Sequence, residues 1–204
     1  EALENAKISE EKISVVYLGF EKPSFLMKSF HDRENIVTMI SSVDKQRYYI
    51  KGLDKFCELS ELMPEFEFRL IGSISSDVRL LVENHFPNIK IVGKVEFGSK
   101  LFEELLSESK FIVQLSYYES FGAAVVDGAV RGNYPIVSNQ FSLPEIVGGG
   151  GLVVEREELS ASINEIQDIN SRGFDCDMVS SYFSEKFSLK LRAKGLLEVL
   201  SSYL

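Results

Sequence analysis

Two carboxylates, Glu119 and Asp127, stand at a junction where an apolar run gives way to a helical pattern. The run before them, residues 111–115, predicts a buried strand, and a small-sided helix is predicted to begin near Gly122 and Ala123. Unpaired amides at that helix start would offer donors and a positive dipole end to a phosphate. Ionised carboxylates accept hydrogen bonds from hydroxyl groups. The segment is compatible with a phosphate-binding site, although an N-capping acid and a solvent-facing helix acid would also explain both carboxylates.

A local basic cluster occupies residues 45 to 55, and its members are Lys45, Arg47, Lys51 and Lys55, which outnumber Asp44 and Asp54. A small phosphorylated ligand needs only such a cluster, and the alternative is a solvated loop face. The whole chain carries a formal charge of -9, from 31 acidic and 22 basic residues. The broad basic surface that binds a nucleic-acid backbone is therefore missing, and no nucleic-acid partner is expected.

The elements that would position these residues alternate along the chain. Short apolar runs predict strands at 13–18, 36–41, 66–72, 88–92, 111–115, 134–138 and 152–154. Amphipathic stretches predict helices at 53–63, 76–85, 100–108 and 122–131, with three more from residue 159 onward. The predicted fold class is α/β, a Rossmann-like doubly wound parallel sheet, in which ligands bind beyond the carboxyl ends of the strands.

The domain organisation follows from length and composition. A chain of 204 residues lies within the range of one large domain. Residues 13–204 are predicted to form it, and residues 1–12 to be a helix end and linker from a missing N-terminal domain. Because the sequence starts with Glu1 and not with Met, we expect a trimmed fragment. The glycine cluster at 148–151 is predicted to be a flexible turn near the ligand cleft.

No metal, cofactor or disulfide framework is expected. Cys57 and Cys176 are far apart, form no C-x-x-C pair, and are accompanied by only two histidines. No apolar run approaches the roughly 20 residues that span a membrane. The expected location is the cytoplasm, with peripheral membrane association through parts outside this sequence left open.

Several motifs together resemble family 4 of the retaining glycosyltransferases, which have the GT-B architecture. The family hallmark is Glu, seven residues, then Glu at such a strand-to-helix junction, and here it reads Glu119, seven residues, Asp127. Segments similar to further family motifs follow in the family's order at 50–54, 68–72, 89–95 and 143–154. The resemblance is to the C-terminal, nucleotide-sugar-binding half of these enzymes.

The resemblance implies a role for individual residues. Glu119 would face the hydroxyls of the transferred sugar, Asp127 the ribose diol and Lys51 the diphosphate, with Glu119 and Lys51 as the catalytic pair. The other implied donor-binding positions are Gly72, Val95, Ser120, Phe121, Gly122 and Ala123.

Two positions depart from the family pattern. Asp127 is one methylene shorter than the usual Glu, and Ser42 stands where the family usually has an Arg. The loop that follows Ser42 carries Arg47, so we predict that Arg47 supplies the second cation; its alternative reading is a surface arginine.

The implied function is transfer of a hexosyl group from a nucleoside diphosphate sugar to a sugar or lipid-linked acceptor, in polysaccharide or glycoconjugate synthesis. The acceptor would be bound by the missing N-terminal domain, so the chain alone is expected to bind donor and transfer little. The two departures keep a non-catalytic nucleotide or sugar-phosphate-binding module as the alternative. A dinucleotide oxidoreductase would share the sheet class, but no G-x-G-x-x-G follows the first predicted strand.

Overall fold

A six-stranded parallel sheet forms the centre of the protein in a computed structural model that describes residue 9 and residues 13–23 and 27–202. The strands are β1 Glu34–Ile40, β2 Glu67–Ile71, β3 Ile89–Gly93, β4 Ser109–Gln114, β5 Tyr134–Ser138 and β6 Leu152–Val154. Their order is β3-β2-β1-β4-β5-β6, and every neighbouring pair is parallel. The chain winds outward from β1, then returns to its other side at β4. The predicted doubly wound α/β fold is therefore confirmed.

Eight α-helices lie within the described residues, and they are α1 Leu53–Leu62, α2 Ser76–His85, α3 Lys100–Glu108, α4 Ala123–Ala129, α5 Leu143–Val147, α6 Leu159–Arg172, α7 Cys176–Lys186 and α8 Leu189–Ser201. Short 3-10 helices occur at Phe30–Asp32, Gly148–Gly150 and Arg156–Glu158. The predicted helices end within two residues of the observed ones, and α5 is an addition. No helix in the described part of the chain is long and apolar enough to cross a membrane.

Alternate residues of β4 explain how the sheet is buried on both faces. Phe111 and Val113 belong to the large core, which also contains side chains of α1 and α6. Ile112, between them, packs instead with Phe102 and Leu106 of α3. Successive side chains of a strand point to opposite faces, so an unbroken apolar run serves two layers of helices at once.

The predicted strand at 13–18 is wrong. Residues 13–19 join no strand in the described part of the chain, and Phe20 makes an isolated parallel bridge with Ser188. The Phe20 N–H donates to the carbonyl of Phe187 at 2.7 Å. Tyr17 and Phe20 pack against α7 and its end, whereas Val15 is exposed. The apolar residues of this segment thus cover the surface of the C-terminal helices, and the sheet begins at Glu34. The predicted linker, residues 1–12, lies outside the described residues apart from Ser9.

Candidate active site

A cavity of about 500 Å³ opens at the carboxyl ends of β1, β2 and β4. This is the place where the strand order reverses, and ligands bind at such a switch point in open α/β sheets. We call it the switch-point cavity, and its lining is Ile40, Ser41, Ser42, Arg47, Lys51, Ile71, Gly72, Ser73, Lys94, Val95, Phe97, Phe102, Gln114, Glu119, Ala123 and Ala124.

Six of the ten predicted site residues border this cavity, and they are Arg47, Lys51, Gly72, Val95, Glu119 and Ala123. They come from four separate loops of the chain, which the parallel sheet gathers at one edge. The other four, Ser120, Phe121, Gly122 and Asp127, do not border it.

Lys51 and Glu119 form an ion pair at the mouth of the cavity. The Lys51 ammonium lies 3.1 Å from Oε2 of Glu119, and the Glu119 side chain is largely buried. The same oxygen lies 3.3 Å from the Nε2 donor of Gln114, and the Ser120 N–H donates to the other oxygen, Oε1, at 3.1 Å. The carboxylate is thus held by three donors, and Lys51 is held by an acceptor.

A close backbone approach brings these two residues together. Gly52 caps the start of α1 with φ +75°, and a Cβ there would lie 2.0 Å from the carbonyl oxygen of Leu115. Both the conformation and the contact require glycine. The N–H groups of Tyr117 and Tyr118 donate to the carbonyl of Ile50 at 3.0 and 3.4 Å. The loop that carries Lys51 is therefore joined directly to the loop that carries Glu119.

Arg47 borders the same cavity as Lys51. It lies in the turns that follow β1, where its N–H donates to Oδ1 of Asp44 at 2.9 Å. Its side chain is 59% exposed, and its guanidinium lies 3.8 Å from the Asp44 carboxylate. Such an exposed, long ion pair is weak, so Arg47 is free to turn toward an anion. Ser42 also borders the cavity.

Sequence reasoning missed Gln114 and Lys94. Gln114 is buried at the end of β4 and donates to Oγ of Ser116 at 2.6 Å as well as to Glu119. Its signal in the sequence was a single amide in the otherwise apolar run 111–115, because a buried amide requires a hydrogen-bond partner. Lys94 follows β3 and borders the cavity, but nothing distinguishes it in sequence from other surface lysines.

Asp127 borders a second cavity, of about 600 Å³, together with Glu103, Arg131 and Phe97. Phe97 is common to both cavities. The Asp127 carboxylate lies 3.8 Å from Arg131, which makes two shorter bonds to Glu103, at 2.6 and 2.7 Å. Burial raises the pKa of Asp127 to about 7, with Arg131 opposing the rise and Glu103 adding to it.

The Phe121 ring lies in a cluster of aromatic side chains. It stacks on Phe20 with ring centroids 6.1 Å apart, and it meets Phe187 edge to face at 5.5 Å. Tyr17 completes the cluster. Phe121 therefore anchors the Glu119 loop to α7 and to residues 17–20, and its ring does not contribute to the cavity wall.

Residues 24–176 match the family Glycosyl transferases group 1. The chain belongs to this family. A curated relative, described as an uncharacterized 41.2 kDa protein in the cps region of Klebsiella pneumoniae, is 26% identical in an alignment 215 residues long, which covers 98% of this chain and 58% of the relative.

Several solved structures share this fold. The lipopolysaccharide outer core galactosyltransferase WaaB in its apo form has a TM-score of 0.80 at 16% identity, over 99% of this chain and 59% of that one. A glycosyltransferase from Rickettsia africae ESF-5 has a TM-score of 0.74 at 24% identity, over 97% of this chain and 59% of that one. The Anabaena protein HepE in complex with UDP has a TM-score of 0.72 at 18% identity, over 98% of this chain and 60% of that one. The chain thus spans about three fifths of the length of these relatives.

Asp127→Asn is expected to stabilise this group 1 glycosyltransferase domain near pH 8 and to flatten its stability profile below about pH 7. An unfolded Asp loses its proton near pH 4. The native carboxyl of Asp127, with a pKa of about 7, keeps its proton up to about pH 7. At this carboxyl the native state then binds more protons than the unfolded state, so the contribution of Asp127 to the free energy of unfolding falls as the pH rises. The full difference is at most about 4 kcal/mol.

Urea titrations near pH 5 and pH 8 measure this effect. Asp168→Asn is the matched control, because its exposed carboxylate pairs with the exposed Arg172, at 3.4 Å, and this variant should keep the parent's slope. An equal change of stability between pH 5 and pH 8 in the parent and in Asp127→Asn would contradict the raised pKa.

Proposed function

We propose that this chain is the C-terminal, nucleotide-sugar-binding half of a retaining glycosyltransferase of family 4 that transfers a hexosyl group to a sugar or lipid-linked acceptor. The observation that carries the proposal is the switch-point cavity, where three cations and one carboxylate meet. The cations are Arg47, Lys51 and Lys94, and the carboxylate is Glu119. A nucleoside diphosphate sugar combines the two matching features, an anionic leaving group and a hydroxyl-rich ring.

The cations serve the diphosphate in this proposal. Lys51 supplies a compact ammonium, and Arg47 supplies a guanidinium that can bind two phosphate oxygens at once. Cations that are already in place where charge develops on a departing group lower the barrier without reorganising during the reaction. We expect no metal at this step. The Anabaena neighbour, whose structures are in complex with UDP and with UDP-glucose, supports a uridine nucleotide as the first donor to test.

Glu119 serves the transferred sugar. In the ligand-free chain its carboxylate pairs with Lys51 at 3.1 Å. Donor binding would replace this ion pair with two contacts to the ligand. Lys51 turns to the phosphate, and Glu119 accepts hydrogen bonds from the sugar hydroxyls, while Gln114 continues to hold the carboxylate in place. The binding of phosphate and sugar is thereby coupled.

Asp127 is proposed to reach the ribose from the second cavity, which shares Phe97 with the first. The acceptor is proposed to lie on an N-terminal domain, and the whole protein to work in the cytoplasm or at the cytoplasmic surface of a membrane. The chain alone should therefore bind donor and transfer little.

A non-catalytic binding module is the second candidate. It is favoured by the position of Asp127, which contacts Arg131 and does not border the switch-point cavity. A turnover assay on the complete protein with UDP-glucose separates the two. Release of UDP that depends on acceptor supports the transferase, and tight donor binding without release supports the module.

UDP is expected to stabilise the chain. At about 100 times its dissociation constant a ligand adds roughly 2.7 kcal/mol to the free energy of unfolding, which is about 5 to 10 °C in Tm for a domain of this size. Thermal unfolding with UDP, GDP and ADP measures the effect, and uridine is the control that lacks phosphates. No shift with any of the three diphosphates would remove the main support for the donor site.

Arg47→Ala is expected to weaken UDP binding and to leave uridine binding nearly unchanged. One charge-assisted contact is worth roughly 1.5 to 3 kcal/mol, and the same loss is expected for Lys51→Ala. Because both cations would touch one diphosphate, the double variant should depart from additivity by about 0.5 kcal/mol or more.

Calorimetric titration of the two single variants and the double variant tests the pair. Lys45→Ala is the matched control, because Lys45 lies two residues before Arg47 but does not border the cavity. Unchanged UDP affinity in Arg47→Ala would mean that Arg47 is a surface residue without a role in binding the diphosphate. Lys94 would then be the candidate for the second cation.

A further inference from the structure

The side-chain amide of Gln114 has a fixed orientation at the end of β4. Its Nε2 donates to Oγ of Ser116 at 2.6 Å and to Oε2 of Glu119 at 3.3 Å. A carboxylate only accepts hydrogen bonds, so the nitrogen of the amide, and not its oxygen, faces Glu119. Ser116 supports this orientation, because its hydroxyl donates to the carbonyl of Lys51 at 3.3 Å and is left as an acceptor for the amide.

The oxygen of the same amide has no hydrogen-bond partner within the described residues. Gln114 is only 3% exposed, and a buried polar atom that lacks a partner is unfavourable. The oxygen is nevertheless not sealed in the interior, because in the described part of the chain the side-chain atoms that are both sealed and unbonded belong to Asn133 and Ser184. Gln114 borders the switch-point cavity. We infer that its oxygen is open to this cavity.

The position of Gln114 in the strand agrees with that inference. Gln114 lies two residues after Ile112, so both side chains lie on the face of the sheet that packs with Phe102 of α3. Phe102 also borders the switch-point cavity. Gln114 is buried, whereas Glu119 is only partly buried. The amide oxygen therefore stands deeper in the cavity than the ion pair at its mouth.

Two acceptors thus stand side by side, the Gln114 oxygen and the Glu119 carboxylate. Ionised phosphate has only acceptor oxygens, so the group that meets both residues must instead donate hydrogen bonds. Neighbouring hydroxyls of one pyranose ring match such a pair. A buried acceptor also discriminates between ligands, because an analogue that lacks the hydroxyl leaves the acceptor unpaired.

We propose that Gln114 is a specificity-determining residue, whose amide oxygen accepts a hydrogen bond from a hydroxyl of the transferred sugar, next to the hydroxyl that binds Glu119. This role rests on the proposed function, because it takes the ligand to be a nucleoside diphosphate sugar. It adds that the sugar carries two free hydroxyls on neighbouring carbons. The nitrogen of the amide holds Glu119 in place, and the oxygen binds the sugar.

The test is a calorimetric titration of the full chain with UDP, UDP-glucose and UDP-glucose analogues. In each analogue fluorine, which cannot donate a hydrogen bond, replaces one sugar hydroxyl, at C2, C3, C4 or C6. In the parent, at least two analogues should bind about tenfold more weakly than UDP-glucose, one for each acceptor. Gln114→Met keeps the length of the side chain without the amide. In this variant one of the two losses should disappear and the other should remain, because each side chain is coupled to its own hydroxyl.

Gln167→Met is the matched control. Gln167 is exposed on α6 and donates to Oε1 of Glu65 at 3.3 Å, so this variant should bind every ligand as the parent does. UDP affinity and Tm are measured on the same samples, and Gln114→Met should keep the UDP affinity of the parent. The requirement for two losses in the parent tests the proposal even if Gln114→Met is unstable, since a single loss would assign the sugar contact to Glu119 alone.

The role of Gln114 is overturned if Gln114→Met keeps every loss that the parent shows. It is also overturned if all losses vanish together, because Gln114 would then act only by holding Glu119, or if UDP binding falls as much as UDP-glucose binding, which would place its contact on the nucleotide. In each of these cases UDP-glucose still binds the parent, and the proposed function stands. Absence of binding by UDP and UDP-glucose alike would refute the donor site itself, and with it this role of Gln114.

Discussion

Under the proposed function, replacement of Glu119 by glutamine should lower turnover of the complete protein by about 100-fold or more, the usual cost of removing one preorganised electrostatic contact at a reacting centre. The Kd for UDP should stay the same or fall. In the free chain the Glu119 carboxylate forms an ion pair with the Lys51 ammonium at 3.1 Å. The uncharged glutamine removes this ion pair and leaves Lys51 available to the phosphates. Turnover should fall because the variant lacks the ionised carboxylate that is proposed to accept hydrogen bonds from the sugar hydroxyls.

Steady-state kinetics and UDP titration on the same preparation separate the two effects. Glu104→Gln is the control, since its carboxylate lies on α3, pairs with Lys100 at 3.4 Å, and is half exposed. Equal losses of UDP affinity and turnover, with a lower Tm, would instead give Glu119 a role in holding the loop after β4.

Gly52→Ala is expected to lower the free energy of unfolding by at least about 3 kcal/mol, a large effect for one methyl group. The new Cβ would lie 2.0 Å from the carbonyl oxygen of Leu115 and 2.8 Å from the backbone nitrogen of Ser116, and neither backbone atom can rotate away. The residue would also keep a φ of +75°, which costs an L-amino acid roughly 1 to 2 kcal/mol by itself. Relief requires the Lys51 and Glu119 loops to separate.

Gly98→Ala is the matched control, because Gly98 has a similar φ of +70°, but a Cβ added there would meet nothing within 4 Å. It should cost only the backbone strain, about 1 to 2 kcal/mol. Chemical unfolding of both variants isolates the steric part, and UDP titration should show a loss in Gly52→Ala only. Equal destabilisation of the two would mean that the close approach at Leu115 relaxes freely.

Local pattern was sufficient to predict most of the elements. The runs at 134–138 and 152–154 match β5 and β6 to the residue, and α2 and α3 likewise begin and end where predicted. All of these segments have a clear apolar pattern. The helix α3 also has a capping residue, Ser99, whose side chain accepts a hydrogen bond from the Phe102 N–H at the start of the helix. The run at 13–18 has a similar composition, but Tyr17 packs instead against α7 and its end, outside the sheet.

The candidate site was predicted in part. The strand-to-helix junction and the basic loop indicated Glu119, Lys51 and Arg47, and the fold places all three around one cavity. Gln114 was missed because its meaning depends on the Glu119 oxygen 3.3 Å away. Phe121 lies in the predicted motif, but its ring packs on Phe20 and Phe187, partners that lie far from it along the chain and could not be inferred from spacing.

The sequence by itself determined the order of strands and helices, the doubly wound fold and the chemical types available at its carboxyl edge, because apolar period, capping and glycine positions are local properties. Only the tertiary structure decided which of those types meet. It paired Lys51 with Glu119, turned Asp127 toward Arg131 in a second cavity, and placed Gln114 at the first cavity beside Glu119. Distances between residues far apart in the chain depend on strand order and side-chain packing, and neither is written in the spacing of a single sequence.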